Sequence, residues 1–311
     1  VSERFAYVNG RYVPERDAAV SIRDLGLVYG DSVFDTWRTF NGKIFKLEEH
    51  MDRLIESLAY ARIDAGMSRK EMLEATLNLV EHNSPMLRPG EDYWVTLRVT
   101  GGLQNFDGEP ARNSGATVVI DCIPIPLRAR APFFRHGIDA RLTERCRIAP
   151  GAINPNAKTN NYLNMILAQK EISAYHPGAW ALMPDFKGNI AEGAGCNFFV
   201  VQDGVVLTPT TDCVLAGVSR QVAIDVCIDL GIPVREQDLP YDMAVSAQEA
   251  FFTSTSLCVC PVASLNGAPY SGGVPGAVTG RIMEGFAKVV GMDYVGQYLN
   301  FLSDGPASTG L

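Results

Sequence analysis

The sequence predicts a two-domain protein of the α+β or irregular α/β class. A chain of 311 residues is long for a single hydrophobic core, which favours two domains. Strand and helix signals both recur, without the strict alternation that builds a doubly wound parallel sheet. Pro124, Pro126 and Pro132 interrupt the chain. They place a smaller N-terminal domain at residues 1–122, a linker at 123–132 and a larger domain at 133–311.

The first domain opens with a hairpin signal, Tyr7 to Val13, with Asn9-Gly10 as its turn. Ser32–Phe40, Asn41-Gly42 and Lys43–Phe45 repeat the pattern. In the first of these strands Phe34, Thr36 and Arg38 share one face and Val33, Asp35 and Trp37 the other. From Leu47 to Ala61, Met51, Leu54, Ile55 and Leu58 recur at helical spacing. Ser68 followed by Glu71 is a capping box for a second helix. Tyr93–Thr100 alternates as a half-buried strand, and Ala116–Ile123 reads as a buried one. The Gly/Asn/Asp-rich stretch between them, 101–115, is long enough to suggest function or mobility.

In the second domain, strands at 179–184 and 189–191 flank a turn at Asp185–Gly188. Asn197–Val201 and Val205–Thr208 form a hairpin around Asp203-Gly204. Ser219–Leu230 reads as a helix stopped by Gly231, and 250–257 and 259–265 as strands before a turn at Asn266-Gly267. A last helix is expected over 277–290, and 303–311 has the composition of a disordered end.

A formal charge of −8, with no dense Lys/Arg run, argues against nucleic-acid binding. Hydrophobic residues at 47% and charged residues at 20% describe a soluble globular protein. No window reaches the roughly 20 apolar residues that cross a bilayer. Val1–Ala6 lacks the charged-then-apolar pattern of a secretory signal, so a cytoplasmic protein is expected. Seven cysteines, an odd number, do not suggest a disulfide framework, and the four scattered histidines form no metal-binding pair.

The common catalytic signatures are absent: no G-x-S-x-G, no Walker A sequence, no H-E-x-x-H. What remains is a set of separate features. Lys158 ends a Pro- and Asn-rich loop, an amphipathic helix follows, and Tyr162 lies about one helical turn away. Alone, a lysine beside a helix is usually solvated. Glu192 is a glycine-bracketed acid running into a strand. Gly217-Val218-Ser219 opens a helix whose free N–H groups can hold a phosphate, although most such helix starts are merely capped. Thr253 to Ser256 ends a strand with four hydroxyls. Arg53 lies on the 47–61 helix, where a solvated arginine is the ordinary reading.

In order, the runs Glu49-His-Met-Asp-Arg53, Lys158-x3-Tyr162, Glu192-Gly-Ala-Gly-x-Asn197-Phe-Phe, Leu215-x-Gly217-Val-Ser-Arg220 and Phe251-x-Thr-x-Thr255 resemble class IV aminotransferases. These are the fold-type-IV pyridoxal-phosphate enzymes that include branched-chain, D-amino-acid and (R)-amine aminotransferases. The resemblance covers about Tyr7 to Gly267 and implies pyridoxal 5'-phosphate as cofactor. It assigns Lys158 as the Schiff-base lysine and proton shuttle, and Glu192 as the partner of the pyridine nitrogen. Tyr162 would hydrogen-bond the ring oxygen or support the lysine. Arg53, the amides at Gly217, Val218 and Ser219, and Thr255 would hold the phosphate. A homodimer is implied, with no nucleic-acid or membrane partner.

The substrate group expected is Phe34, Thr36, Arg38, Trp94, Val95 and Ser256. Branched-chain members of the family carry an arginine where this chain is aligned at Val95, and D-amino-acid members carry one on the following loop, aligned with Gly101–Asp107 here; neither of these positions holds an arginine. Arg98 and Arg38 are the available substitutes. A missing carboxylate anchor points to amines without a carboxylate, hence to an (R)-selective amine:pyruvate transaminase. A branched-chain or D-amino-acid aminotransferase is the alternative, and aminodeoxychorismate lyase a more distant one.

Overall fold

A computed structural model describes residues 3–104 and 115–302. Residues 105–114 of the expected loop, and the expected disordered end 303–311, lie outside the described residues. The chain divides into two compact units: Val1–Ile125 with Ala157–Asn161, and Pro126–Asn156 with Tyr162–Leu311. Lys158 therefore belongs with the first unit rather than with the larger C-terminal one. The expected linker is not a linker: residues up to Pro124 complete a strand, and Leu127–His136 form a helix that tolerates Pro132.

The first unit contains β1 (Phe5–Val8), β2 (Arg11–Pro14), α1 (Leu25–Tyr29), β3 (Ser32–Phe40), β4 (Lys43–Ile44), α2 (Leu47–Ala61), α3 (Arg69–Asn83), β5 (Tyr93–Thr100) and β6 (Thr117–Pro124). Among the described residues, six strands form one antiparallel sheet in the order β2-β1-β6-β5-β3-β4. Its hairpins turn where Asn can adopt positive φ ahead of Gly, at Asn9 (φ 46°) and Asn41 (φ 51°). The capping box of α3 is present: Glu71 N–H donates to Ser68 Oγ at 3.3 Å, and Ser68 N–H to Glu71 Oε2 at 2.7 Å.

Register decides what each face of this sheet carries. Trp37 pairs with Val95, Val95 with Cys122, and Leu97 with Ile120. These side chains are buried in one core with Met51 and Leu54 of α2 and Leu79 of α3. Each such large side chain contributes about 1.5–3 kcal/mol by leaving water. The opposite face carries Phe34, Thr36 and Arg38 of β3, which pair with Arg98, Thr96 and Trp94 of β5.

The second unit contains α4 (Leu127–His136), β7 (Ile138–Leu142), α5 (Leu163–Tyr175), β8 (Trp180–Pro184), β9 (Ile190–Gly193), β10 (Cys196–Gln202), β11 (Val205–Thr208) and α6 (Val218–Asp229). β12 (Val234–Glu236), α7 (Tyr241–Ser246), β13 (Glu249–Ser254), β14 (Cys258–Leu265), β15 (Ala268–Pro269), α8 (Ala277–Val290) and α9 (Tyr294–Leu299) complete it. Its strands run in the order β12-β11-β10-β13-β14-β7-β8-β9, with β15 on β14. Because β9 pairs with both β8 and β10, the strands from β10 to β9 close into a ring without a free edge. Stacked aromatics line it, including Phe199 against Phe251 at 4.7 Å between ring centroids.

The helix after Lys158 starts later than its spacing predicts. α5 begins at Leu163, with Tyr162 at its N-cap. Residues 157–161 are held extended beside β3 instead: Phe34 N–H donates to Lys158 O and Asn160 N–H to Ser32 O, both at 2.9 Å. Nor is α5 cleanly amphipathic, since Met165, Ala168 and Gln169 are buried while Leu163 and Ile166 are exposed. Among the described residues no helix is long and apolar enough to cross a membrane, and no cluster of three or more His, Cys, Asp or Glu could hold a metal.

Candidate active site

In the first unit, α2 presents one polar stripe, His50, Arg53 and Ser57, spaced to fall on a single helix face. All three are buried, and His50 and Arg53 meet Asp35, which projects from the core face of β3. Arg53 grips Asp35 with two parallel bonds, Nε to Oδ2 and Nη2 to Oδ1, each 2.8 Å. His50 Nδ1 lies 2.8 Å from Asp35 Oδ1, and Thr36 N–H donates to the same oxygen at 2.7 Å.

Burial works to raise the Asp35 carboxyl, but Arg53 and then His50 outweigh it and hold it well below the usual carboxylate range. Burial above all lowers His50, against Asp35, with Arg53 and Lys158 adding to the lowering. His50 is thus neutral at pH 7, and the Nδ1 proton is the one shared with Asp35.

Ser57 links this stripe to the lysine. Its hydroxyl donates to Arg53 O at 2.9 Å and accepts from Lys158 N–H at 3.0 Å. With the Phe34 N–H on its carbonyl, the Lys158 backbone is fixed on both sides. Lys158 Nζ lies over the Phe34 ring, 4.7 Å from its centroid. The amine therefore adjoins the sheet face that carries Phe34, Thr36, Trp94, Thr96 and Arg98.

Of the expected substrate residues, Phe34, Thr36, Arg38 and Trp94 share this face, and Val95 does not. Val95 is fully buried on the core face between Trp37 and Cys122. Thr96 takes the inward-facing position assigned to it, because side chains alternate along a strand and an alignment error of one residue changes the face. Thr96 Oγ1 lies 3.3 Å from Thr36 Oγ1. Arg38 is buried with its guanidinium 4.1 Å from the Phe40 ring centroid. Arg98 is ion-paired with Asp121 of β6.

In the second unit, Glu192 sits where β9 passes from β8 to β10, opposite Met183 on one side and Asn197 on the other. The turn that follows is tight: a Cβ on Gly193 would meet Cys196 Sγ at 2.5 Å and the Ala181 carbonyl oxygen at 3.2 Å. The buried Glu192 carboxylate faces Arg147 Nε at 2.9 Å and accepts from Asn197 Nδ2 at 3.1 Å. Leu215 N–H approaches both of its oxygens at 3.3 and 3.4 Å.

Asn197 also donates to Leu215 O at 2.9 Å, and Asn156 bridges Thr211 O and Ala216 N–H. These contacts pin residues 211–217 and aim the start of α6. A Cβ on Gly217 would lie 2.2 Å from Asn197 Oδ1, so only glycine fits there. Gly217 gives no side-chain cap, and the amides of Val218 and Ser219 lie in the first turn, where no intrahelical acceptor exists. Tyr162 packs against the cluster of Met165, Ala168, Ala181 and Met183. Thr255 is half-buried after β13, and buried Ser256 accepts from Arg130 through Oγ.

The profile of the family Amino-transferase class IV matches residues 32–265. The chain belongs to the class IV aminotransferases. It is 33% identical over 291 residues to a branched-chain-amino-acid aminotransferase of Escherichia coli, covering 91% of each chain. It is 27% identical to a D-alanine aminotransferase of Staphylococcus haemolyticus, over 91% of this chain and 97% of that one. The solved branched-chain amino acid aminotransferase of E. coli superposes with a TM-score of 0.83 at 30% identity, over 97% of both chains. The chain is thus an enzyme of the pyridoxal-phosphate-dependent class, with the mixed α/β fold of its fold-type-IV neighbours.

Sequence reasoning passed over Asp35, His50, Ser57, Thr96, Asp121, Arg147 and Asn156. Only Asp35 carried a signal: a carboxylate on the same strand face as Val33 and Trp37 needs a buried partner.

Proposed function

We propose that this aminotransferase moves the amino group of an amine lacking a carboxylate, in the (R) configuration, to a 2-oxo acid such as pyruvate. The observation that carries the reading is the sheet face beside Lys158. Its two arginines are engaged, Arg98 by Asp121 and Arg38 against Phe40, and the centre of the face is the Thr36–Thr96 hydroxyl pair. A substrate carboxylate is ordinarily oriented by an arginine offering two N–H groups. Here an apolar donor meets Phe34, Thr36, Thr96 and Trp94 without stranding a charge.

The residues present fit pyridoxal phosphate, which when bound supplies an electron sink for the carbon that loses its proton. Lys158 would provide the amine that holds it and the Nζ that carries that proton. Glu192, which faces Arg147 and is oriented by Asn197, would face the ring nitrogen and favour its protonated form. Tyr162 supports the ring oxygen or the lysine. The family resemblance assigns the phosphate to the Val218 and Ser219 amides, which Gly217 leaves uncovered, to Thr255, and to Arg53, whose plane Asp35 sets; each would hold it. Lys158→Ala is expected to abolish both transamination and the bound cofactor's visible absorbance; a coloured, active variant would overturn these roles.

A second reading, a branched-chain-amino-acid aminotransferase, is favoured by the names of the relatives at 33% and 30% identity. Steady-state kcat/KM with (R)-1-phenylethylamine, L-leucine and D-alanine separates the two. Preference for L-leucine by about tenfold or more would replace the first reading with the second. We also read the enzyme as a homodimer. The exposed Ile22, Leu27 and Tyr29 at and beside α1 support a covering second copy, and a monomer mass by light scattering would refute it.

A further inference from the structure

The amine of Lys158 is connected to an ion pair by one continuous row of side chains in the first unit. Lys158 Nζ covers Phe34, and Phe34 stands directly opposite Arg98 across the β3–β5 pairing. Directly paired side chains on one face lie about 4.5–5.5 Å apart at Cβ. Arg98 stands opposite Val119, and Asp121, two residues further along β6, stands opposite Thr96. Arg98 Nη1 donates to Asp121 Oδ1. The Thr36–Thr96 hydroxyl pair is the next row of the same face.

This pair does not hold the fold together. The Arg98 and Asp121 side chains are 41% and 24% exposed. Ion pairs with that much access to water contribute about 0–1 kcal/mol. Among the described residues, Asp121 satisfies no backbone group and fills no core position. Its consequence is the charge of the face. Alone, Arg98 would set a guanidinium, with its fork of N–H donors, one side chain away from the ring under the Lys158 amine. That arrangement recruits carboxylates. Asp121 offsets that charge and takes one N–H of the fork.

We propose that Asp121 is a specificity-determining residue: by holding Arg98 it offsets the guanidinium nearest the Lys158 amine and selects carboxylate-free donors over amino acids. The proposal rests on the amine-transaminase reading above and extends it to the residue that enforces the choice. Asp121→Asn preserves shape and removes the charge, while Arg98→Leu in the same background removes the group so released.

The test follows the donor half-reaction by the cofactor's absorbance, without acceptor, for (R)-1-phenylethylamine, L-leucine and D-alanine. Asp121→Asn is expected to raise kcat/KM for the amino acids relative to the amine by about tenfold. Calorimetric binding of 4-methylvalerate, a carboxylate that cannot react, is expected to tighten by a similar factor, with the gain shrinking as salt rises. Both gains vanish in Asp121→Asn/Arg98→Leu. Ratios and affinities within about twofold of wild type in Asp121→Asn, or a gain that survives loss of Arg98, would overturn the proposal. A wild-type enzyme that prefers L-leucine overturns the amine reading itself, and is distinguished by appearing before any substitution is made.

Discussion

Two arginine–aspartate pairs lie on opposite faces of the same sheet, and they do different work. Asp35–Arg53 is on the core face, with side chains 0% and 9% exposed, and its carboxylate meets two guanidinium bonds, a histidine and a backbone amide. Arg98–Asp121 is on the face beside Lys158, joined through one carboxylate oxygen and open to water. Burial makes the first pair costly to break and therefore a fixed part of the frame. Access to water makes the second inexpensive to change, so it can be adjusted for specificity without loss of the fold.

The strongest way to break this contrast is Asp35→Ala. It removes the carboxylate that neutralises the buried Arg53 guanidinium and is expected to lower stability by about 3–5 kcal/mol in urea unfolding. A loss under 1 kcal/mol would remove the distinction between the pairs. Next comes Ser57→Ala, which takes the acceptor from Lys158 N–H and frees Arg53 O. A loss of about 1–3 kcal/mol is expected, together with a shift in the bound cofactor's absorbance, since the lysine backbone is no longer fixed on both sides.

Acid should act on the core-face cluster first. His50 is lowered from its ordinary 6.5, so the unfolded chain takes up that proton before the folded one. Stability is therefore expected to fall as pH drops below 6.5 and on toward the folded value of His50. Asp35 adds a second loss at lower pH, below the ordinary 3.8 of its carboxyl, because its folded value is depressed. His50→Gln should flatten the first limb in pH-dependent thermal unfolding while leaving the second. The smallest effect belongs to the exposed pair: Arg98→Ala or Asp121→Ala should change stability by no more than about 1 kcal/mol. A larger loss in either would place that pair in the frame as well.

Much of the local architecture was legible in the residues. The helices Leu47–Ala61 and Ala277–Val290 and the strands Ser32–Phe40 and Tyr93–Thr100 fall where periodicity put them. β7 was missed, because its partners are parallel strands, β14 and β8, with no turn to announce them. α4 was read as a linker on account of Pro132, although a proline inside a helix bends or weakens it without always ending it. The family resemblance named Lys158, Tyr162, Glu192 and Gly217 together, since each run was weak alone. It could not name Arg147 or Asn156, which sit in no recognisable run and act only through contacts with Glu192 and the 211–217 loop.

What separates the two kinds of knowledge is range. Turns, caps and amphipathic stripes depend on neighbours within a few residues, and Asn41-Gly42, Ser68–Glu71 and the Met51–Leu54–Leu58 stripe could be read directly from the chain. The family, too, was written in short ordered runs. The face on which a side chain emerges depends on strand register, which is set by packing over the whole sheet. That is why Val95 was expected beside the substrate and Thr96 was not, and why Asp35 and Asp121 acquired opposite meanings only once β3, β5 and β6 were paired.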